Sequence, residues 1–289
     1  MTTREQWIAG ARPKTLPAAI APVLVGTSFA GYNASFLHTL LALIVALALQ
    51  VGVNYANDYS DGIKGTDADR VGPMRLVGSG AANADAVKKA ALISFLIAAL
   101  AGLILASRTS WLLVILGAIC ILAAWTYTGG PKPYGYQAMG EVSVFIFFGV
   151  VATVGTYYVQ TESVSREVLL ASFAMGALAC AILVLNKLRD LPKDDVAGKK
   201  TLAVVMGEKS TRDLYKWLMF FALVMSVALS FFSFFYLLAL ISLPLVSKSV
   251  RAVSAGASGS ALIDLLVKTG RIQIIYAVAL SFAAWLVAR

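Results

Sequence analysis

Nine apolar stretches of near-spanning length recur along this 289-residue chain, at about 16–32, 37–57, 87–107, 110–127, 141–160, 168–188, 213–230, 232–247 and 270–287. A helix needs roughly 20 apolar residues to cross the hydrocarbon of a bilayer. Inside lipid, a helix satisfies all of its own backbone polar groups, so repeated apolar stretches of that length read as spanning helices. The pattern predicts an all-α, polytopic membrane helix bundle: one domain, residues 1–289, with nine transmembrane helices around one cavity. Only 13% of the residues are charged, about half the share of a soluble domain, which excludes soluble classes. The stretch 213–247 must divide near Ser230–Ser233 to give two short spans. The first 17 residues are polar and basic and precede the first apolar run, so no cleavable signal peptide is expected.

Lysine and arginine set the expected orientation. With nine spans, 21 of the 24 cations fall on the side of the N-terminus, leaving Arg108, Arg166 and Arg289 on the other. This predicts a cell-membrane protein with a cytoplasmic N-terminus and its C-terminus across the bilayer. The net charge of +9 then reflects topology and attraction to anionic lipid. The lipid bilayer is the expected partner, with no nucleic acid and no obligate protein partner. One histidine (His38) and two dispersed cysteines (Cys120 and Cys180) argue against a zinc or haem site.

Two acidic clusters interrupt the apolar pattern on the cytoplasmic side. "NYANDYSDGIKGTDADR" (54–70) follows the uncharged "LLALIVALALQVGV", and "NKLRDLPKDDVAGKKT" (186–201) follows another uncharged run. Each carries Asn-x-x-x-Asp, as Asn57/Asp61 and Asn186/Asp190, with Asp67 or Asp194 beyond. A spacing of four puts amide and carboxylate on one helix face, one turn apart. Carboxylates at a membrane rim are costly unless they face a cavity and meet cations. Carboxylate and amide oxygens suit Mg²⁺, which binds through one or two carboxylates, waters and substrate phosphate. Candidate ligands are Asn57, Asp58, Asp61 and Asp67 from the first cluster and Asn186, Asp190 and Asp194 from the second. Lys64, Arg70, Lys193 and Lys199 are placed to clamp a diphosphate. Asp69, Asp85 and Asp195 read as solvated loop charges.

"NDYSDGIKGTD" and "NKLRDLPKDDVAGKKTLAV" resemble the two aspartate-rich motifs of the membrane-embedded aromatic prenyltransferases. "RPKTLPAAIAPVLVGT" (12–27), "NYANDYSDGIKGTDADRVGPMRLVGSG" (54–80) and "WTYTGGPKPYGYQAMGE" (125–141) are similar to the menaquinone-pathway branch of that superfamily. The resemblance implies a Mg²⁺-dependent enzyme, with two ions and Mn²⁺ as a substitute. It implies transfer of a polyprenyl group from polyprenyl diphosphate to 1,4-dihydroxy-2-naphthoate, with loss of carbon dioxide and diphosphate. One position departs from the branch. Its second motif usually reads Asn-Asn-Leu-Arg-Asp, whereas Lys187 stands here for the second Asn. Lys187 lies about 60° from Asp190 on the helical wheel, where its stem can snorkel outward, and that outward orientation is expected.

The 125–141 segment is broken by glycine and proline on the same side of the membrane. Tyr127 and Tyr134 are candidates to flank an allylic cation with their π faces, and Lys132 to pair with carboxylate or phosphate. Tyr136 is equally well read as part of an interfacial aromatic belt. Arg12 and Lys14, entering the first span, are candidates for holding the aromatic acid. Glu141 reads as a helix-start carboxylate. Two rival readings stay open: another aromatic acceptor such as 4-hydroxybenzoate, and a cation-coupled transporter with acids at broken helices. A CDP-alcohol phosphotransferase is excluded because its motif is absent.

Overall fold

The computed structural model describes residues 2–65 and 74–289. Helix α1 (Arg4–Ala11) starts on a capping box in which the Thr3 hydroxyl and the Gln6 side chain each accept the other residue's backbone N–H. It stops at Arg12, which adopts the left-handed conformation at φ 55°. A short 3₁₀ turn, Pro13–Thr15, then feeds α2 (Pro17–Phe29). There follow α3 (Phe36–Ile63), α4 (Ala84–Arg108), α5 (Leu112–Thr126) and α6 (Gly140–Val144). A π-helical segment, Phe145–Val151, joins α6 to α7 (Ala152–Thr161). The rest comprises α8 (Arg166–Val196), α9 (Leu202–Ser230), a 3₁₀ segment Phe234–Ser242 running into α10 (Leu243–Ser254), and α11 (Ser260–Val287). Among the described residues the only β-type pairing is one parallel bridge between Gln137 and Lys200.

The chain is a multi-pass membrane helix bundle. Among the described residues seven helical stretches are long and apolar enough to cross a bilayer, and α2 and α5 are shorter apolar helices. Each of the nine expected stretches corresponds to one of these elements, and the division expected near Ser230–Ser233 falls between Ser230 and Phe234.

Two helices run further than their apolar stretches. α3 has 28 residues and α8 has 31; at 1.5 Å per residue they are about 42 and 46 Å long. Hydrocarbon is only about 30 Å thick, so each helix is longer than one span requires, and each carries its acidic motif in its last turns as continuous helix. The apolar face of the bundle sustains those turns: Tyr55, Ala56 and Leu188 stay buried while the acids face the other way.

α8 is the central helix. Of its most apolar stretch 78% is buried, against 22–50% in the six others. Ala171, Ala174, Gly176, Ala177 and Ala181 let neighbours approach closely. A Cβ on Gly149 would stand 2.4 Å from the Cα of Gly176, so glycine is required where the π-helical segment crosses α8.

Candidate active site

Two cavities meet end to end. A polar one of about 440 Å³ is lined by the ends of α3 and α8 and by the loops after α5 and α8. An apolar one of about 500 Å³ runs between α2, α3, α4, α5, the α6–α7 stretch and α8. Arg12, Asn57, Tyr127, Leu183 and Asn186 line both, forming the collar where one opens into the other. On α3 the apolar cavity reaches from Asn57 back to Ala42, about 22 Å along the helix. One wall is α5, which packs on α3 and α4 and makes no substantial contact with the α6–α7 stretch opposite.

The polar cavity gathers most of the expected residues. Asn57, Asp61, Asn186, Asp190, Asp194, Lys193 and Lys199 all line it. Asp61 is buried, 3.3 Å from Lys199 Nζ and 3.6 Å from an Arg75 guanidinium nitrogen, and it accepts a hydrogen bond from the Tyr136 hydroxyl. Lys199 is only 7% exposed and lies 4.8 Å above the Tyr136 ring. The bridge between Gln137 and Lys200 sets those two neighbours side by side. Asn57 accepts from the Thr128 hydroxyl at 2.7 Å. Asp190 receives two hydrogen bonds from Arg189, at 2.7 and 2.8 Å.

Five residues lie in settings other than those expected. Asp58 is 0% exposed and accepts the backbone N–H groups of Leu76 and Val77 at 2.8 and 2.9 Å. One residue of helix is about 100° of rotation, so while Asn57 faces the cavity, Asp58 faces the loop it pins. Lys64 donates to the carbonyls of Thr128 and Gly130, at 2.7 and 3.1 Å, and braces that loop instead of lining the cavity. Lys132 and Lys14 are exposed and line neither cavity; each sits in a turn whose neighbours, Tyr134 and Arg12, point inward. Lys187 faces the polar cavity, with Nζ 3.8 Å from Asp194 Oδ2. Seven residues of helix bring Lys187 to within about 20° of Asp194, and this pairing overrides the wheel angle to Asp190. Asp67 and Arg70 lie outside the described residues.

Tyr127 and Tyr134 stand edge to face at 5.4 Å against the apolar cavity. The Tyr134 hydroxyl donates to the Ala123 carbonyl at 2.8 Å and lies 3.0 Å from Ser143 Oγ.

Some cavity residues escaped sequence reasoning. Arg75 lay inside a quoted motif but counted only as a topology cation. Tyr136 had no local signal separating it from an interfacial tyrosine. Gln50 had one: it is the sole amide in "LLALIVALALQVGV". It is 6% exposed and lines the apolar cavity. Its Nε2 donates to Thr15 Oγ1 at 2.9 Å, and that hydroxyl spends its own hydrogen on the Arg12 carbonyl, also at 2.9 Å. The Thr15 oxygen must therefore accept, which fixes Nε2 toward Thr15 and leaves Gln50 Oε1 as a buried acceptor with no hydrogen-bond partner among the described residues.

Among the described residues no three carboxylate, imidazole or thiolate groups form a ligand cluster. The donors are instead carboxylates and amide oxygens spread over two helix ends. That set fits Mg²⁺ held jointly with phosphate oxygens and water, and does not fit an all-protein cage.

The profile of the UbiA prenyltransferase family matches residues 19–258. The chain is 48% identical to 1,4-dihydroxy-2-naphthoate octaprenyltransferase of Mycobacterium tuberculosis over 98% of both chains. Its fold is similar to a UbiA homolog from Aeropyrum pernix K1, with a TM-score of 0.74 at 14% identity over 93% of this chain and 97% of that one. It is likewise similar to a UbiA homolog from Archaeoglobus fulgidus bound to GPP and Mg²⁺, with a TM-score of 0.68 at 14% identity over 97% of this chain and 99% of that one.

Proposed function

The chain belongs to the UbiA prenyltransferase family, and from that premise we propose that it transfers a polyprenyl group from polyprenyl diphosphate to 1,4-dihydroxy-2-naphthoate. The observation that carries this reading is the pair of cavities joined through one collar. A polyprenyl diphosphate has a highly charged head and a long apolar tail, and the two chambers match that division. The new bond joins the first prenyl carbon to the ring carbon that bears the carboxylate. The carbon–oxygen bond to diphosphate breaks, carbon dioxide departs, and its bonding electrons return to the ring, giving demethylmenaquinol, the reduced form of demethylmenaquinone.

Asn57, Asp61, Asn186, Asp190 and Asp194 would hold Mg²⁺, which would supply Lewis-acid neutralisation of the departing diphosphate. Lys193, Lys199 and Arg75 add fixed positive charge at the same place. Tyr127 and Tyr134 turn their rings to the allylic carbon at the collar. The apolar chamber excludes the water that would trap the cation, and the separation of α5 from the α6–α7 stretch gives the tail an exit to lipid. Arg12 holds the carboxylate of the aromatic acid. Gln50 Oε1, about 10 Å below Asn57 along α3, takes the hydrogen of a ring hydroxyl.

The nine apolar helices each cross the bilayer, with the N-terminus and the polar chamber cytoplasmic and the C-terminus opposite. The cation distribution supports this orientation. The apolar lining of the second chamber disfavours a transporter, whose ion needs a polar path across the membrane.

The test is an incubation of membranes containing the protein with labelled polyprenyl diphosphate and each aromatic acid, with Mg²⁺ or with chelator. Mg²⁺-dependent transfer to 1,4-dihydroxy-2-naphthoate is the expected result. Preferential transfer to 4-hydroxybenzoate would move the protein to another branch, and no transfer to any acceptor would contradict the reading.

A further inference from the structure

The two chamber-lining carboxylates of the second motif, Asp190 and Asp194, each face a cation from their own helix. Arg189 grips Asp190 through two hydrogen bonds. Lys187 Nζ stands 3.8 Å from Asp194 Oδ2, with the two side chains 17% and 11% exposed. Among the described residues the polar cavity is lined by five cations (Arg12, Arg75, Lys187, Lys193 and Lys199) and three carboxylates. Among those described residues cations outnumber carboxylates before any metal ion enters.

We propose that Lys187 is a built-in cation standing in for a second metal ion at this motif, so that the chain binds one Mg²⁺ tightly where two would be expected. The inference rests on the diphosphate reading of the polar chamber. An asparagine at this position, as the branch pattern has, offers an amide oxygen to a metal ion. Lysine offers three N–H donors and no acceptor. The substitution thus removes a candidate ligand and adds a positive charge at the same point. A divalent ion approaching Asp194 must displace the ammonium or sit beside a like charge. The ammonium, a compact point charge on a flexible stem, swings from Asp194 to a phosphate oxygen with little rearrangement. It then supplies part of the neutralisation that a second ion would give.

Ion binding tests this directly, without turnover. The full chain in detergent is titrated with Mn²⁺ by electron paramagnetic resonance, in the presence of a prenyl thiolodiphosphate that resists ionisation. The wild-type protein should bind one ion at least tenfold more tightly than any second. Lys187→Asn should tighten the second ion by tenfold or more, and Lys187→Arg should keep the one-ion pattern. Two ions of equal affinity in the wild type, or an unchanged second ion in Lys187→Asn, would overturn the role of Lys187 and leave the diphosphate site standing. Absence of any bound Mn²⁺ in every protein would overturn the metal reading of the chamber, and this inference with it.

Discussion

Lys199 Nζ lies 3.3 Å from Asp61 Oδ1 and joins two motifs whose contacting residues are 138 positions apart in the chain. The Tyr136 hydroxyl, from the loop after α5, donates to the same carboxylate oxygen. Three separate segments therefore converge on one buried acid, and that convergence defines the chamber where α3 and α8 emerge from the hydrocarbon.

Asp61→Ala and Asp190→Ala should each lower prenyl transfer by roughly a hundredfold to a thousandfold or more while the protein stays folded by circular dichroism. Asp85→Ala should be nearly silent in the same assay. Asp85 sits in the first turn of α4, its backbone N–H donating to the Asn83 side chain. Equal losses at all three positions would mean that charge density, and not placement in the chamber, governs activity.

Asp58→Ala should act on stability. It strips the buried backbone N–H of Leu76 and the half-buried N–H of Val77 of their acceptor. Leaving buried donors unmet costs about 1–3 kcal/mol each. The thermal midpoint should fall, while the protein that remains folded keeps its Mn²⁺ affinity. A normal midpoint with lost ion binding would return Asp58 to the ligand set.

Gln50→Leu keeps the bulk but removes the buried acceptor. The KM for the aromatic acid should rise about tenfold, the equivalent of one hydrogen bond worth about 1.4 kcal/mol. The KM for polyprenyl diphosphate should not move. Steady-state kinetics in both substrates separates this outcome from a general loss of packing.

Gly149→Ala should lower the thermal midpoint, since its Cβ would meet the backbone of Gly176 at 2.4 Å and overpacking costs about 1–3 kcal/mol. Gly117→Ala, with nothing within 4 Å of the added carbon, should leave the midpoint unchanged or raise it.

The helices were legible because lipid imposes a simple length and polarity code, and even the break after Ser230 could be placed. The Asn57/Asp61 and Asn186/Asp190 pairs were legible because a four-residue spacing is a helical signature that holds only if the helix continues through the motif, as α3 and α8 do. The settings of Asp58, Lys64, Lys132 and Lys14 were not legible because composition near a motif carries no direction. One residue of rotation, or one turn, decides whether a charge faces the chamber or a loop carbonyl. Lys187 was misjudged because its partner lies two turns away at Asp194, not one turn away at Asp190. Tyr136 and Arg75 had no periodic signal, since loops bring them to Asp61 and no helix face does.

Prenyl transfer in the joined chambers should release the acceptor's carboxylate as carbon dioxide. The most direct measurement uses 1,4-dihydroxy-2-naphthoate labelled in its carboxyl carbon, together with polyprenyl diphosphate and Mg²⁺. It follows released carbon dioxide and prenylated product in the wild type and in Asp61→Ala. Equimolar carbon dioxide and product in the wild type, with both abolished together in Asp61→Ala, is the predicted result. Label retained in the prenylated product, or carbon dioxide released without the prenyl donor, would contradict it.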